Sequence, residues 1–360
     1  MKLPSLKIGD LIADIPIIQG GMGIGVSRSK LASAVANEGG IGVISGVQIG
    51  FNESDFETNN KEANIRGLKK EIKKARELCP KGIIGVNILT AMNNYKELVL
   101  TAVKEKIDLI ICGAGLPIDL PELVKNSASK IIPIVSSAKA ASVIIKMWDK
   151  KYQYLPDALI VEGPKAGGHL GFSLEILNSK PLPSLIDILK EVLLAIKPFE
   201  EKYNKKIPII AAGGIFDGKD IAKCIKEGAS GVQMATRFVT THECDAHTNF
   251  KTAYLNATKD NIQIIKSPVG MPGRALRNEL IISLEEANQK VVRCYNCLKP
   301  CNPATTPYCI SQALIKAVNG DTDKGLIFAG TNTYKLNKIV SVKELIKELV
   351  QEAETALACI

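Results

Sequence analysis

Residues Ile207-Pro208-Ile209-Ile210-Ala211-Ala212-Gly213-Gly214 form an apolar run that stops on two glycines, and Gly231-Val232-Gln233-Met234-Ala235-Thr236 repeats the phrase 24 residues later. Between them lies an amphipathic stretch, Lys219–Glu227. Neither run alternates polar with apolar positions, so neither suits a strand with one wet face. Such runs suit a parallel sheet covered on both sides. Six more occur upstream: Ile15–Gly21, Ile41–Gly46, Ile83–Leu89, Leu109–Gly115, Ile131–Ser137 and Ala158–Gly163. Helical candidates separate them at Ser29–Glu38, Gly67–Leu78, Asn94–Lys104, Leu120–Ser127, Lys139–Trp148 and Leu185–Tyr203. Eight alternations of strand and helix predict an α/β fold, a (β/α)8 TIM barrel, ahead of an open doubly wound sheet.

The spacing predicts three segments. Residues 1–240 make the barrel, and 241–310 make a cap or insertion after strand eight, rich in turns. Residues 311–360 end in a helix, Val342–Ala356, that packs back on the barrel. A polar stretch, 47–66, reads as a loop over the same mouth. The 360 residues are ample for one such barrel.

Composition narrows the class. With 46% hydrophobic and 23% charged residues the chain is neither disordered nor membrane-spanning. The N-terminus has no continuous apolar stretch of the secretory kind, so a cytoplasmic protein is expected. Nine cysteines in that setting read as reduced thiols and not as a disulfide framework. The net charge of +9 is spread over helix-like polar stretches without interleaved aromatics, which argues against nucleic acid as a partner.

Barrels of this kind place their chemistry at the C-terminal ends of the strands and often bind phosphate after strands seven and eight. Gly213 and Gly214 let backbone N–H groups approach an anion, and Thr236 adds a hydroxyl. Glycines also cluster at Gly20-Gly21-Met22-Gly23 and Gly113-Ala114-Gly115, an open surface for a planar ring. Asn87 ends strand three with an amide that can pair with a ring nitrogen and carbonyl. The segment Glu162-Gly163-Pro164-Lys165-Ala166-Gly167-Gly168-His169-Leu170-Gly171 follows strand six and sets one of only three histidines among glycines at the mouth. His169 is the expected proton-transfer residue.

Together, QGGMG, GVNIL, CGAG, AGGHLG, AAGGI, GVQMATRF and SPVGMPGRALRN resemble the nitronate monooxygenase family, a wider group that also holds flavin-dependent enoyl-acyl carrier protein reductases. The likeness runs in order from about residue 10 to 280 and returns in the final helix. It implies a (β/α)8 barrel with non-covalent FMN: Gly21 and Met22 against the flavin ring, and Asn87 at its polar edge. Gly168, Gly213, Gly214, Gln233, Met234, Ala235 and Thr236 would surround ribityl and phosphate. His169 matches the catalytic histidine, while Lys165 departs from the acidic or apolar residue of several relatives. The implied reaction is oxidation of an alkyl nitronate by molecular oxygen to a carbonyl compound and nitrite. The alternative is an NAD(P)H-dependent enoyl reductase, for which an acyl carrier protein would be the partner. Otherwise the expected partners are a small nitronate or nitroalkane and oxygen, with no membrane, and a homodimer is left open.

Two constellations look like metal sites. Cys294, Cys297, Cys301 and Cys309 fall within sixteen positions, but their spacing fits neither paired zinc knuckles nor a ferredoxin run, so no metal is expected. His242 and His247 are five apart and cannot share a helix face as HExxH ligands do. A helix start is the expected role there. Cys112 reads as a packed thiol.

Overall fold

The computed structural model describes residues 1–359. All eight predicted runs contain strands: β1 (Ile17–Gln19), β2 (Ile41–Ser45), β3 (Ile83–Leu89), β4 (Leu109–Gly113), β5 (Lys130–Val135), β6 (Leu159–Glu162), β7 (Ile209–Ala212) and β8 (Gly231–Met234). Each pairs in parallel with its neighbours, and β8 pairs with β1 to close the barrel. The fold is a TIM barrel.

Strand parity explains the layers. Ile18, Ile41, Val43, Leu109, Ile111, Ile132, Ile160 and Ile210 form one cluster inside the barrel. The alternate positions, such as Ile17, Ile44, Ile110 and Val161, join the core shared with the outer helices. Because both faces are buried, neither parity can be polar.

A feature not anticipated is the N-terminal hairpin, Leu6–Ile8 paired antiparallel with Leu11–Ala13. Its Leu6 and Ile8, 1% and 0% exposed, enter the interior cluster and plug the end opposite the mouth. Three-residue strands have no length over which periodicity could announce them.

Several boundaries differ from expectation. The stretch 47–66 is a loop only to Asn59, and Asn60–Leu78 is one helix. Most of its polar residues face solvent, but Asn64 and Glu71 are buried: Asn64 donates to Gln48 and accepts from the Gly50 N–H, and Glu71 accepts from Arg28 and the Ser29 N–H. The fourth helix shrinks to Leu120–Leu123 and the fifth extends to Ala138–Tyr152. The final helix spans Val342–Ala358 and packs on Gly218–Lys226. Beyond β8, Ile262–Lys266 and Pro272–Leu276 form an antiparallel pair. The second of these takes Gly168–His169 as a third strand. Residues of all three predicted segments share the outer core.

Among the described residues no helix is long and apolar enough to cross a membrane.

Candidate active site

A cavity of about 420 Å3 opens at the C-terminal ends of the strands. Gly21, Met22, Asn87, Gly168, His169, Gln233, Ala235 and Thr236 all line it. Three sequence candidates do not. Met234 turns its side chain into the core, 2% exposed. Gly213 and Gly214 adopt φ of +89° and +99°, and a Cβ on Gly213 would lie 2.6 Å from the Gly163 carbonyl oxygen. Here glycine is required by backbone meeting backbone.

The wall after β1 is backbone, for a physical reason. A Cβ on Gly21 would sit 2.4 Å from Asn87 Cβ, and one on Gly23 would sit 2.8 Å from Ser45 Oγ. Ser45 closes β2, lines the cavity, is 1% exposed and has no hydrogen-bond partner for its hydroxyl. A buried hydroxyl left so is a group waiting for an acceptor or donor from a ligand.

His169 is held on three sides. Its backbone pairs with Gly273 and its ring stands edge-on to Phe328, with centroids 5.0 Å apart. Nε2 lies 2.8 Å from Ser267 Oγ. Burial lowers its pKa to about 4, so the imidazole is neutral at physiological pH. Below the loop runs Arg274, 5% exposed, whose guanidinium donates to the carbonyls of Pro164 (2.8 Å) and Ala166. Burial draws its pKa down to about 10. Arg274 thus fixes the turn that delivers Gly167-Gly168-His169 to the mouth.

At the end of β6, Glu162 also lines the cavity, and burial alone pushes its pKa up to about 7. Glu162 and His169 are therefore both biased toward their neutral forms, and among the described residues no lysine or arginine lines the cavity. Apolar side chains from beyond the barrel fill one side: Phe250, Leu314, Leu326 and Phe328, with Tyr254 tied by its hydroxyl to the Phe328 carbonyl.

Sequence reasoning assigned no role to Ser45, Glu162, Ser267, Arg274 or Phe328. Ser267 and Arg274 stood inside the quoted SPVGMPGRALRN, and Glu162 inside the histidine loop, so the motifs carried them without revealing contacts. Elsewhere, His247 caps the helix Thr248–Leu255, its Nδ1 accepting from Asn249 N–H at 3.1 Å. Cys112 is buried, and burial pushes its thiol far above the usual range. Cys294 is exposed and Cys297, Cys301 and Cys309 half-buried, all as thiols. Among the described residues no group of three or more His, Cys, Asp or Glu is placed to hold a metal ion.

The family model described as nitronate monooxygenase matches residues 5–352. The chain belongs to the nitronate monooxygenase family. It is an oxidoreductase fold carried almost end to end. This family member is 28% identical, over 95% of its length and 94% of the relative's, to (3aS,4S,5R,7aS)-5-hydroxy-7a-methyl-1-oxo-octahydro-1H-indene-4-carboxyl-CoA dehydrogenase of Mycobacterium tuberculosis. A probable nitronate monooxygenase of Staphylococcus aureus is 26% identical over 78% of this chain and 79% of its own. Among solved structures, FabK from Thermotoga maritima superposes with a TM-score of 0.74 at 26% identity, covering 96% of this chain and 94% of that one.

Proposed function

We propose that this family member binds FMN in the cavity and oxidises nitroalkanes, as their nitronates, with molecular oxygen to carbonyl compound and nitrite. The observation that carries the reading is His169: a neutral imidazole on the wall of a cavity without fixed cationic side chains. A neutral nitroalkane enters such a site without the cost of burying an unpaired charge. Its acidic hydrogen is then within the reach of a base that is not already protonated.

The residues fit the cofactor. Gly21 and Met22 offer a flat backbone wall, Asn87 an amide, and Ser45 the orphaned hydroxyl, which suits a planar ring with a polar edge. Gly168, Gln233, Ala235 and Thr236 continue the wall toward β7 and β8. Gly213, Gly214 and Met234 do not line the cavity and would support this wall from behind, leaving Thr236 and the neighbouring backbone as the proposed phosphate end. When bound, FMN supplies the electron acceptor and the oxygen chemistry. The chain's own groups position substrate, take the proton at the imidazole and keep water out through Phe250, Leu314 and Phe328.

A second reading is favoured by one observation: one side of the cavity is lined by apolar side chains, Phe250, Leu314, Leu326 and Phe328, a surface that suits an acyl chain. The thioester dehydrogenase relative also matches over 95% of this chain, against 78% for the nitronate monooxygenase relative. On it, the same site would serve an NAD(P)H-dependent enoyl reductase acting on a carrier-bound thioester.

Anaerobic stopped-flow absorbance of the FMN-loaded protein separates the two. Bleaching of the flavin by propionate 3-nitronate or 2-nitropropane alone, followed by nitrite release on admitting oxygen, is the expected result. Bleaching by NADH with indifference to both nitro compounds would replace it with the enoyl reductase.

A further inference from the structure

Strand parity aims one carboxyl at the cavity. On β6, Ile160 belongs to the barrel interior and Val161 to the outer core, so Glu162, one residue on, faces the axis again. Glu162 pairs in register with Ala212 of β7, and Ala212 pairs with Gln233 of β8. Only the Ala212 methyl stands between Glu162 and Gln233 along this row, and both of them line the cavity. Glu162 is half-buried. Among the described residues no donor and no opposite charge acts on its carboxyl; burial is the sole influence. A carboxyl without a counter-charge is unfavourable on such a wall, and the nitroalkane reading gives it nothing to do.

The groups around it are few. His169 and Tyr254 are the other titratable side chains on the cavity wall. The Tyr254 hydroxyl is committed to the Phe328 carbonyl. In the loop after β6, Arg274 is occupied with the carbonyls of Pro164 and Ala166, and Lys165 is exposed, its stem against Gly214. The neighbouring elements bring Ser136 from the end of β5, Ala212 from β7 and Leu185 against Gly163, none of which titrates.

We infer that Glu162 is the proton store of flavin reduction in this protein: it takes up one proton from solvent when the ring in the cavity gains two electrons, and releases it on reoxidation. The inference rests on the reading of the cavity as a flavin site and on neither candidate substrate.

Charge and protons balance. A flavin ring that receives two electrons and one proton carries one negative charge. Among the described residues no lysine or arginine lines the cavity to offset it. A carboxylate on the same wall then meets a like charge in a poorly screened site, which favours its neutral form. Two electrons therefore bring two protons, one to the ring and one to a Glu162 oxygen, and the net charge of ring plus carboxyl stays at minus one. Burial pushes the Glu162 pKa up to about 7, so at about pH 8 the carboxyl starts ionised and its uptake can be counted.

Spectroelectrochemical titration of the FMN-loaded protein does the counting, because the slope of midpoint potential against pH gives the protons taken per electron pair. Around that pH wild type should take up close to two and Glu162→Gln one. Glutamine keeps the shape, and the absorbance of bound flavin reports folding and loading in the same cell. Glu162→Ala, which also lacks the proton site, supplies the count should Glu162→Gln fail to fold. His169 is the other group able to accept the second proton, so His169→Asn is titrated alongside and should still take up two. One proton in wild type, or equal counts in wild type and Glu162→Gln, would overturn the inference. Loss of the second proton in His169→Asn with its retention in Glu162→Gln would overturn it too, moving the store to the imidazole. A protein that takes up no FMN would sink the flavin reading and the inference together, whereas bound flavin with a count of one sinks the inference alone. Indifference to nitro compounds leaves the count unaffected.

Discussion

At Gly21 the whole side-chain allowance is a hydrogen atom. A methyl placed there would meet Asn87 Cβ at 2.4 Å, so Asn87 must move or the wall must bend. Overpacking of this kind costs about 1–3 kcal/mol, equivalent to roughly five- to 150-fold in affinity when it falls on a binding surface. Gly21→Ala should therefore raise the FMN dissociation constant by that factor in a flavin-fluorescence titration, with the far-UV circular dichroism unchanged. His169 supports a second prediction. Burial sets its pKa at about 4 against an ordinary 6.5, so it stays a base through the range where an exposed histidine would titrate. With nitroalkane as substrate, kcat/KM should show no break near pH 6.5 and should fall only as the pH approaches 4. His169→Asn should lower that rate by about 10²- to 10⁴-fold while leaving flavin content intact. A clear break at 6.5 would place the imidazole in water. The linkage to stability has the same sign: a lowered folded-state pKa makes the contribution of His169 complete above 6.5 and lost as pH falls toward 4. Glu162, raised to about 7, acts oppositely, favouring the fold below about 4.5 and ceasing to do so as pH rises through 7.

Elements differ in how openly the chain announces them. The C-terminal helix was readable because Leu345, Ile346, Leu349 and Ala353 recur at helical spacing and are all buried. Its start is also written in residues: Ser341 Oγ accepts from the Glu344 N–H at 3.1 Å, and the Glu344 carboxylate accepts from the Ser341 N–H at 2.8 Å. Arg237, in the short helix Thr236–Val239 after β8, adds an ion pair to Glu348 at 2.6 Å and ties the helix to the barrel. Ser341→Ala removes one half of this reciprocal cap and should cost about 1 kcal/mol, read as a lower urea midpoint at unchanged slope. No loss of stability would mean that packing on Gly218–Lys226 holds the helix start unaided. The strand Gly168–His169 lies at the other extreme. Two residues, one of them glycine, have no periodicity, and their pairing with Gly273 and Arg274 is decided about a hundred positions away. That is why the histidine was legible as a chemical group while Ser267 and Arg274, which hold it, were not. Similarly, the glycine pair at β7 reads in the sequence as an approach for an anion, but that Gly213 backs onto Gly163 depends on strand register that no local pattern encodes.

The barrel as a whole was legible because eight runs must each be apolar on both faces, a demand that few other architectures make. Its lower closure was not, since the hairpin contributes only Leu6, Ile8 and Ala13 to an interior otherwise built from the barrel strands. The two ends of the molecule thus differ in kind: the bottom is sealed by the chain itself, and the top holds a cavity of about 420 Å3. This separation can be measured. Binding of FMN to the folded state alone should stabilise the protein by about 2.7 kcal/mol at a hundredfold excess over the dissociation constant. Leu6→Ala should cost about 2–5 kcal/mol by leaving a hole under the barrel. Leu6 belongs to the interior cluster and lines no part of the mouth cavity, so the two effects should add, as they do for distant sites without shared partners. Chemical denaturation of wild type and Leu6→Ala, each with and without FMN, closes the cycle. Equal FMN increments in both proteins are expected. An increment that shrinks in Leu6→Ala by more than about 0.5 kcal/mol would mean that the barrel transmits repacking from its floor to its mouth.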